Sequence, residues 1–161
     1  MLSTTSIHKF QKTAQEILFL KQSASLWEQE GFWTPKNVMD SINLSQTSLF
    51  YIKDPTNSVW MSSIMVYNCF DYWDVLYIYT HPNYRHRGLA FSLLGHLVEY
   101  VKENYMNQIF PSDVPPYIHL EVKTNNEAAI GMYEHFGFKK ITLRKKYYST
   151  GEDAIIYRYE L

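Results

Sequence analysis

The sequence predicts an α/β protein built around a mixed sheet, and three observations carry that reading. Six runs have strand chemistry and four segments have helical periodicity, in the order helix, helix, three strands, helix, strand, helix, two strands. A chain of 161 residues, 46% hydrophobic and 17% aromatic, is long and apolar enough to bury one substantial core. Repeats and low-complexity tracts are missing, so 1–161 reads as one domain.

Ile17, Leu18, Leu20, Ala24 and Trp27 recur at three- and four-residue steps, which predicts an amphipathic helix over about 10–30, ended by Gly31. Thr34 before Pro35 is an N-cap followed by proline at the first helical position, opening a short helix to Ile42. Leu49–Lys53 and Val59–Tyr67 flank the turn residues Asp54, Pro55, Thr56 and Asn57, a hairpin pattern. Val75–Tyr79 is the third strand, stopped by Pro82. Leu89, Leu93, Leu94, Leu97, Val98 and Val101 line one stripe of a helix over 88–104. A proline-bearing loop, 106–116, leads to the strand Tyr117–Lys123. Thr124 and Glu127 then have capping-box spacing before a short helix closed by Gly137. The last two strands are expected at 138–147 and 153–160.

A formal net charge of −1 excludes a global positive field of the kind that holds nucleic acid, so any anion must be gripped locally. The single cysteine, Cys69, excludes an internal disulfide framework and a multi-thiolate zinc site, and points to a reducing cytoplasm. The first twelve residues lack the apolar core of a signal peptide, and no run reaches the roughly 18 apolar residues of a membrane span. A soluble cytoplasmic protein is expected. His81 and His86 straddle a turn and His119 has no third ligand in register, so no metal site is expected.

The stretch Ile78-Tyr79-Thr80-His81-Pro82-Asn83-Tyr84-Arg85-His86-Arg87-Gly88-Leu89-Ala90 is a strand, a basic turn and a helix start. The free N–H groups and dipole of a helix terminus attract an anion, and Gly88 with the small Ala90 lets a phosphate approach the backbone. Arg85 and Arg87 add charge. Neither a Walker loop nor a three-glycine dinucleotide fingerprint is present. On pattern alone a solvated helix start fits equally well.

Arg85-x-x-Gly88-x-Ala90 after a strand resembles the pyrophosphate-binding motif of GNAT acetyltransferases. Leu120 to Phe138, with Asn125-Asn126-Glu127 and Tyr133-x-x-x-Gly137-Phe138, is similar to the strand-helix segment of the same family. Leu120-Glu121-Val122 and Tyr147-Tyr148-Ser149-Thr150-Gly151-Glu152-Asp153-Ala154 further resemble ribosomal-protein alanine N-acetyltransferases and protein N-terminal acetyltransferases. About 48–161 is covered; the first 45 residues share only element order.

The resemblance implies a twisted, mostly antiparallel sheet of six to seven strands with about four helices. It implies acetyl-CoA as co-substrate, without a metal, and direct acetyl transfer to a primary amine. Ile78, Tyr79 and Thr80 would pair with the pantetheine arm, with the Tyr79 main chain aimed at the thioester oxygen. Arg85, His86, Arg87, Gly88, Leu89 and Ala90 would hold the diphosphate, and Asn126 would contact the cofactor. Glu121 would be the general base and Tyr133 the general acid. Phe32, Trp33, Tyr147 and Tyr148 would hold the acceptor.

The residues themselves leave alternatives open. Glu121 can face solvent opposite Leu120 and Val122, Tyr133 can be plain core, and the four aromatics can be half-buried packing. Lys145 and Lys146 after Arg144 read as a solvated strand end, with a hold on the CoA 3′-phosphate or on an acidic peptide as the alternative. Deprotonating an α-amine of pKa about 7.8 at pH 7 costs about 1 kcal/mol against about 4.6 kcal/mol for a lysine, a task suited to one carboxylate. This agrees with a protein or peptide N-terminus as acceptor, which the resemblance makes the leading expectation, although lysine acetyltransferases also manage with one glutamate. A small amine (polyamine, amino sugar or amino acid) is second, and a non-catalytic CoA-binding module third.

Overall fold

Local chemistry sets where each element starts. The computed structural model describes residues 6–29, 33–57, 59–106 and 115–161. Strand β1 is Ile7–Lys9, and helix α1 is Ala14–Gln29. A reciprocal box opens α1: Glu16 N donates to Thr13 Oγ1 (3.2 Å) and Thr13 N to Glu16 Oε2 (3.3 Å). Helix α2, Pro35–Ile42, is capped by Thr34, whose hydroxyl accepts from Asn37 N at 3.2 Å, as expected. Strands β2 (Thr47–Lys53) and β3 (Trp60–Asn68) follow. In the hairpin between them Asp54 N donates to Val59 O and the Asp54 carboxylate accepts from Thr56 N, both at 2.8 Å.

Next come β4 (Tyr72–Thr80), a 3₁₀ turn (Pro82–Tyr84), α3 (Leu89–Met106), β5 (Tyr117–Lys123), α4 (Glu127–Phe136), β6 (Lys139–Arg144) and β7 (Ala154–Glu160). Helix α4 ends at Gly137, whose φ of +114° is a conformation glycine tolerates; its N–H turns back to the carbonyls of Tyr133 and Glu134.

The strand order is β1-β2-β3-β4-β5-β7-β6. The pairs β1–β2, β2–β3, β5–β7 and β6–β7 are antiparallel, and β4–β5 is parallel. The mixed, mostly antiparallel sheet with four helices is thus the expected one. The parallel register runs from Tyr72 opposite Tyr117 to Val75 opposite Leu120, while β4 continues to Thr80 and β5 to Lys123.

The chain gathers into two compact units, Met1–Tyr67 with Tyr77–His96, and Asn68–Leu76 with Leu97–Leu161. The first has its own core of Leu20, Ala24, Val38, Ile42, Leu49, Ile52, Ile64 and Leu93, all at most 2% exposed. Each such Leu, Ile or Val withdrawn from water contributes about 1.5–3 kcal/mol. The second buries Ile118, Leu120 and Val122 from one face of β5, with Ile155, Tyr157, Phe138 and Leu97. The other face of β5 carries Tyr117, His119, Glu121 and Lys123, all part-exposed.

Several expectations need correction. Strand β1 was not foreseen, because three residues carry no periodicity. Helix α1 begins at Ala14 rather than near Phe10, and Leu18 is 55% exposed although its spacing suggested the core stripe. The cap of α4 is Asn126, not Thr124: Thr124 N is tied to Asp153 O (3.1 Å), and the Asn126 carboxamide accepts from Ala129 N (3.2 Å). Strand β4 begins three residues earlier than expected and β6 ends three residues sooner. Gly31 and most of the 106–116 loop lie outside the described residues.

Candidate active site

The sequence-predicted residues fall into two groups, one in each unit. In the first unit, the end of β4 alternates: Tyr77 and Tyr79 are buried, Ile78 and Thr80 part-exposed. The Ser62 hydroxyl donates to Tyr79 O and lies 2.9 Å from Thr80 Oγ1, which fixes the strand end. The following turn is braced by its own side chains. His81 Nδ1 accepts from Asn83 N (3.3 Å), and Tyr84 OH donates to Asp54 Oδ2 (2.8 Å).

Arg85 Nε donates to Thr80 O (3.1 Å), while Arg87 Nη2 donates to Asn83 O (3.0 Å) and its guanidinium lies 5.1 Å from the Tyr84 ring centroid. Both arginines therefore fold back onto the turn, yet both remain exposed, so their charge is held in place beside the helix start. The backbone then turns to positive φ at His86 (+60°) and again at Gly88 (+74°), with Arg87 on the ordinary side between them. Such alternation curls successive N–H groups toward one concavity. Gly88 O accepts from Ser92 N (2.9 Å), so Gly88 is the residue before the helix. Among the described residues, the N–H groups of Gly88, Leu89 and Ala90 donate to no backbone carbonyl, as the first turn of an α-helix requires.

A Cβ built on Gly88 would meet nothing within 4 Å. The glycine is demanded by its φ, and the space beside it is open rather than filled by protein. Free amides, a helix dipole, two anchored arginines and open space make a site for a phosphate or diphosphate.

In the second unit, Glu121 on β5 is ion-paired with Arg144 on β6 (Nη1 to Oε1, 2.8 Å), their side chains 21% and 54% exposed. The Glu121 carboxylate also accepts from the Tyr147 hydroxyl, and that bond raises the phenol's pKa, with burial second. The Tyr147 and Tyr148 rings meet edge to face at 5.2 Å. Burial, then Glu121, pushes Tyr148 up to about 12. Lys123 binds Glu152 (3.0 Å) with its ammonium 5.1 Å from the Tyr148 ring centroid. The Thr150 hydroxyl, with Lys123, holds Glu152 down to about 2. Tyr133 on α4 is 5% exposed, between Phe138 (5.7 Å) and Tyr157 (6.3 Å). Burial, with Tyr148 second, raises its pKa, so the phenol keeps its proton at neutral pH and gives it up less readily than an exposed tyrosine. The Oδ1 of Asn126 is engaged in the α4 cap, which leaves its amide N–H₂ as the group to offer a ligand.

Structure thus brings Glu121, Tyr147 and Tyr148 together. Trp33 lies in the first unit against Tyr77, ring centroids 6.2 Å apart, and Phe32 lies outside the described residues. Sequence reasoning missed Arg144, read as part of a solvated strand end. It also discounted His119, whose Nδ1 lies 2.8 Å from Asp74 Oδ1. The parity of β5 was the available signal, since His119, Glu121 and Lys123 share one face. Burial raises the pKa of the Cys69 thiol, which works against a nucleophilic thiolate. No helix among the described residues is long and apolar enough to cross a membrane, and those residues include no group of three or more His, Cys, Asp or Glu able to hold a metal ion.

A mixed sheet with a turn suited to an anion after β4 and a paired carboxylate on β5 fits the scaffold of an acyl-transferring enzyme. The family model of the acetyltransferase (GNAT) family matches residues 15–138, and the chain belongs to that family. It is 37% identical over 78 residues to the [ribosomal protein bS18]-alanine N-acetyltransferase of Escherichia coli K12, a match covering 47% of each chain. The chain spans about half the length of the curated relatives it matches. The crystal structure of the ribosomal-protein-S18-alanine N-acetyltransferase from Escherichia coli superposes with a TM-score of 0.74 over 96% of this chain and 94% of that one, at 22% identity. Arabidopsis thaliana NAA60 in complex with acetyl-CoA superposes at 0.75 over 97% and 99%, at 13% identity, a likeness of fold alone.

Proposed function

We propose that this protein is an acetyl-CoA-dependent N-acetyltransferase whose acceptor is the N-terminal α-amine of a protein or peptide. The observation that carries the reading is the turn opening α3, with positive φ at His86 and Gly88 and open space where a Cβ would stand. A diphosphate fits it by the chemistry of its donors: backbone amides, a helix terminus and two anchored guanidinium groups. The family assignment, and relatives named as an alanine N-acetyltransferase and an N-alpha-acetyltransferase, support the choice of cofactor and acceptor.

Acetyl-CoA supplies an acetyl group as a thioester open to attack by an amine. Glu121 accepts the proton the acceptor's ammonium must lose, directly or through one water. Tyr133, a phenol protonated at neutral pH, delivers its proton to the departing sulfur, against the burial that raises its pKa. The exposed ring of Tyr147 and its neighbour Tyr148 hold the acceptor beside Glu121. Residues 1–161 form one catalytic domain in this reading, supported by a family match over 15–138 that takes in segments of both units. A single free thiol, Cys69, suits the reducing cytoplasm.

The test is thiol release from acetyl-CoA with peptides offering a free N-terminus, compared with N-terminally blocked lysine peptides and polyamines. Turnover is expected with free N-termini. Glu121→Gln and Tyr133→Phe should each lower kcat by about 10²- to 10⁴-fold. Unchanged turnover in both variants would refute the assigned roles.

A further inference from the structure

We infer that the Glu121–Arg144 pair reads an acceptor carrying a carboxylate close to its amine, so that acidic amines are the preferred substrates. The inference rests on the proposed role of Glu121 and extends it to a residue that the reading does not use.

The pair is built by register. Glu121 on β5 and Thr142 on β6 both oppose Ile156 on β7, and Lys123 and Arg144 both oppose Ala154. Residues directly opposite share a face, so Glu121 and Arg144 rise from the same side of the sheet, separated by one strand. Two inter-strand steps amount to about 9.6 Å, which the long arginine crosses diagonally. Beneath it the floor is low and dry: Ala154 is 0% and Ile156 4% exposed.

An exposed ion pair contributes little to stability, about 0–1 kcal/mol, so folding alone gives weak grounds for this contact. Its construction is specific nonetheless. Arg144 donates through Nη1 to Glu121 and has its guanidinium 5.5 Å from the ring centroid of Tyr147, whose hydroxyl bonds the same carboxylate. The guanidinium is held from two directions while over half of its side chain remains open to solvent. A planar fork anchored in this way is suited to a second carboxylate in bidentate fashion.

Glu121 attracts a cation and Arg144 an anion, 2.8 Å apart. A ligand with an ammonium and a carboxylate a few bonds apart matches both at once, replacing one internal pair by two. The ligand carboxylate also shares the Arg144 charge with Glu121, leaving the Glu121 carboxylate better able to take the amine's proton. A neutral acceptor leaves the internal pair intact and competes with it. Two sources share this chemistry: a polypeptide beginning with Asp or Glu, and a free amino acid.

The experiment measures kcat and KM for peptides that differ only in Asp against Asn, or Glu against Gln, at the first residue, with free aspartate and glutamate as a separate arm. For the wild type, kcat/KM should favour the acidic member by about tenfold, chiefly through KM, as expected for a part-exposed charge-assisted contact. Arg144→Gln should bring that ratio to about one, and Arg144→Lys should keep part of it. Turnover of peptides but not free amino acids assigns the polypeptide source, and the reverse assigns the amino acid. A wild-type ratio near one, or an equal loss on acidic and neutral acceptors in Arg144→Gln, would overturn the inference and leave the acetyltransferase reading standing. No turnover on any amine, with no affinity for CoA, would remove both.

Discussion

Gly88→Ala separates the two jobs assigned to the turn before α3. With φ at +74°, an alanine pays the left-handed penalty of about 1–2 kcal/mol, and nothing lies within 4 Å to add a clash. In a chain of 161 residues each such kcal/mol lowers Tm by about 2–4 °C, so the variant should remain folded. Its methyl group would stand in the open space beside the free amides. Displacing a phosphate from one charge-assisted backbone bond costs about 1.5–3 kcal/mol, or roughly a tenfold to hundredfold weakening of Kd. Titration calorimetry with CoA reads the affinity and a thermal melt reads the fold. If Tm drops as expected while Kd stays within about twofold, the turn is not the diphosphate site and the assignment of His86 to Ala90 fails.

Gly137→Ala is the converse: at φ +114° with Tyr159 Cε2 only 3.3 Å from the added Cβ, it should cost about 1–3 kcal/mol by urea unfolding and leave CoA affinity where it was. Glu16 supplies a pH dependence. Burial opposes its charge, but the Tyr51 hydroxyl (2.9 Å) with the Gln11 and Thr13 donors holds its pKa below 4.5. Its stabilising contribution is complete above pH 4.5 and is lost as pH falls through the folded value, so Glu16→Gln should flatten the acid limb of the stability curve, and an unchanged limb would refute this.

Local signals in the sequence carried far. The Thr34–Pro35 cap and the turn residues from Asp54 to Asn57 are each set within four positions, and both lie where expected, as do the bounds of β5. The strand-turn-helix order before α3 is local in the same sense, although its pattern alone fits a solvated helix start equally well. Arg144 was not readable, because its contact with Glu121 spans 23 positions and depends on a β6–β7 register that shifts between Lys140 and Thr142. No local pattern encodes that shift. The start of α1 was missed because the Thr13–Glu16 box that opens it lies upstream of the apolar spacing, which begins at Ile17.

Strand β6 ends the sheet order, and all six of its residues are exposed. Ile141 sits at the register shift, 58% exposed, and Leu143 is 40% exposed, so this border offers the apolar, hydrogen-bonding template on which chains stack into aggregates. Lys139 and Lys140 set a cationic fence along that border, making two copies repel before their backbones can join. Ionic strength is therefore the handle on self-association: added salt screens the fence and leaves the greasy template in place.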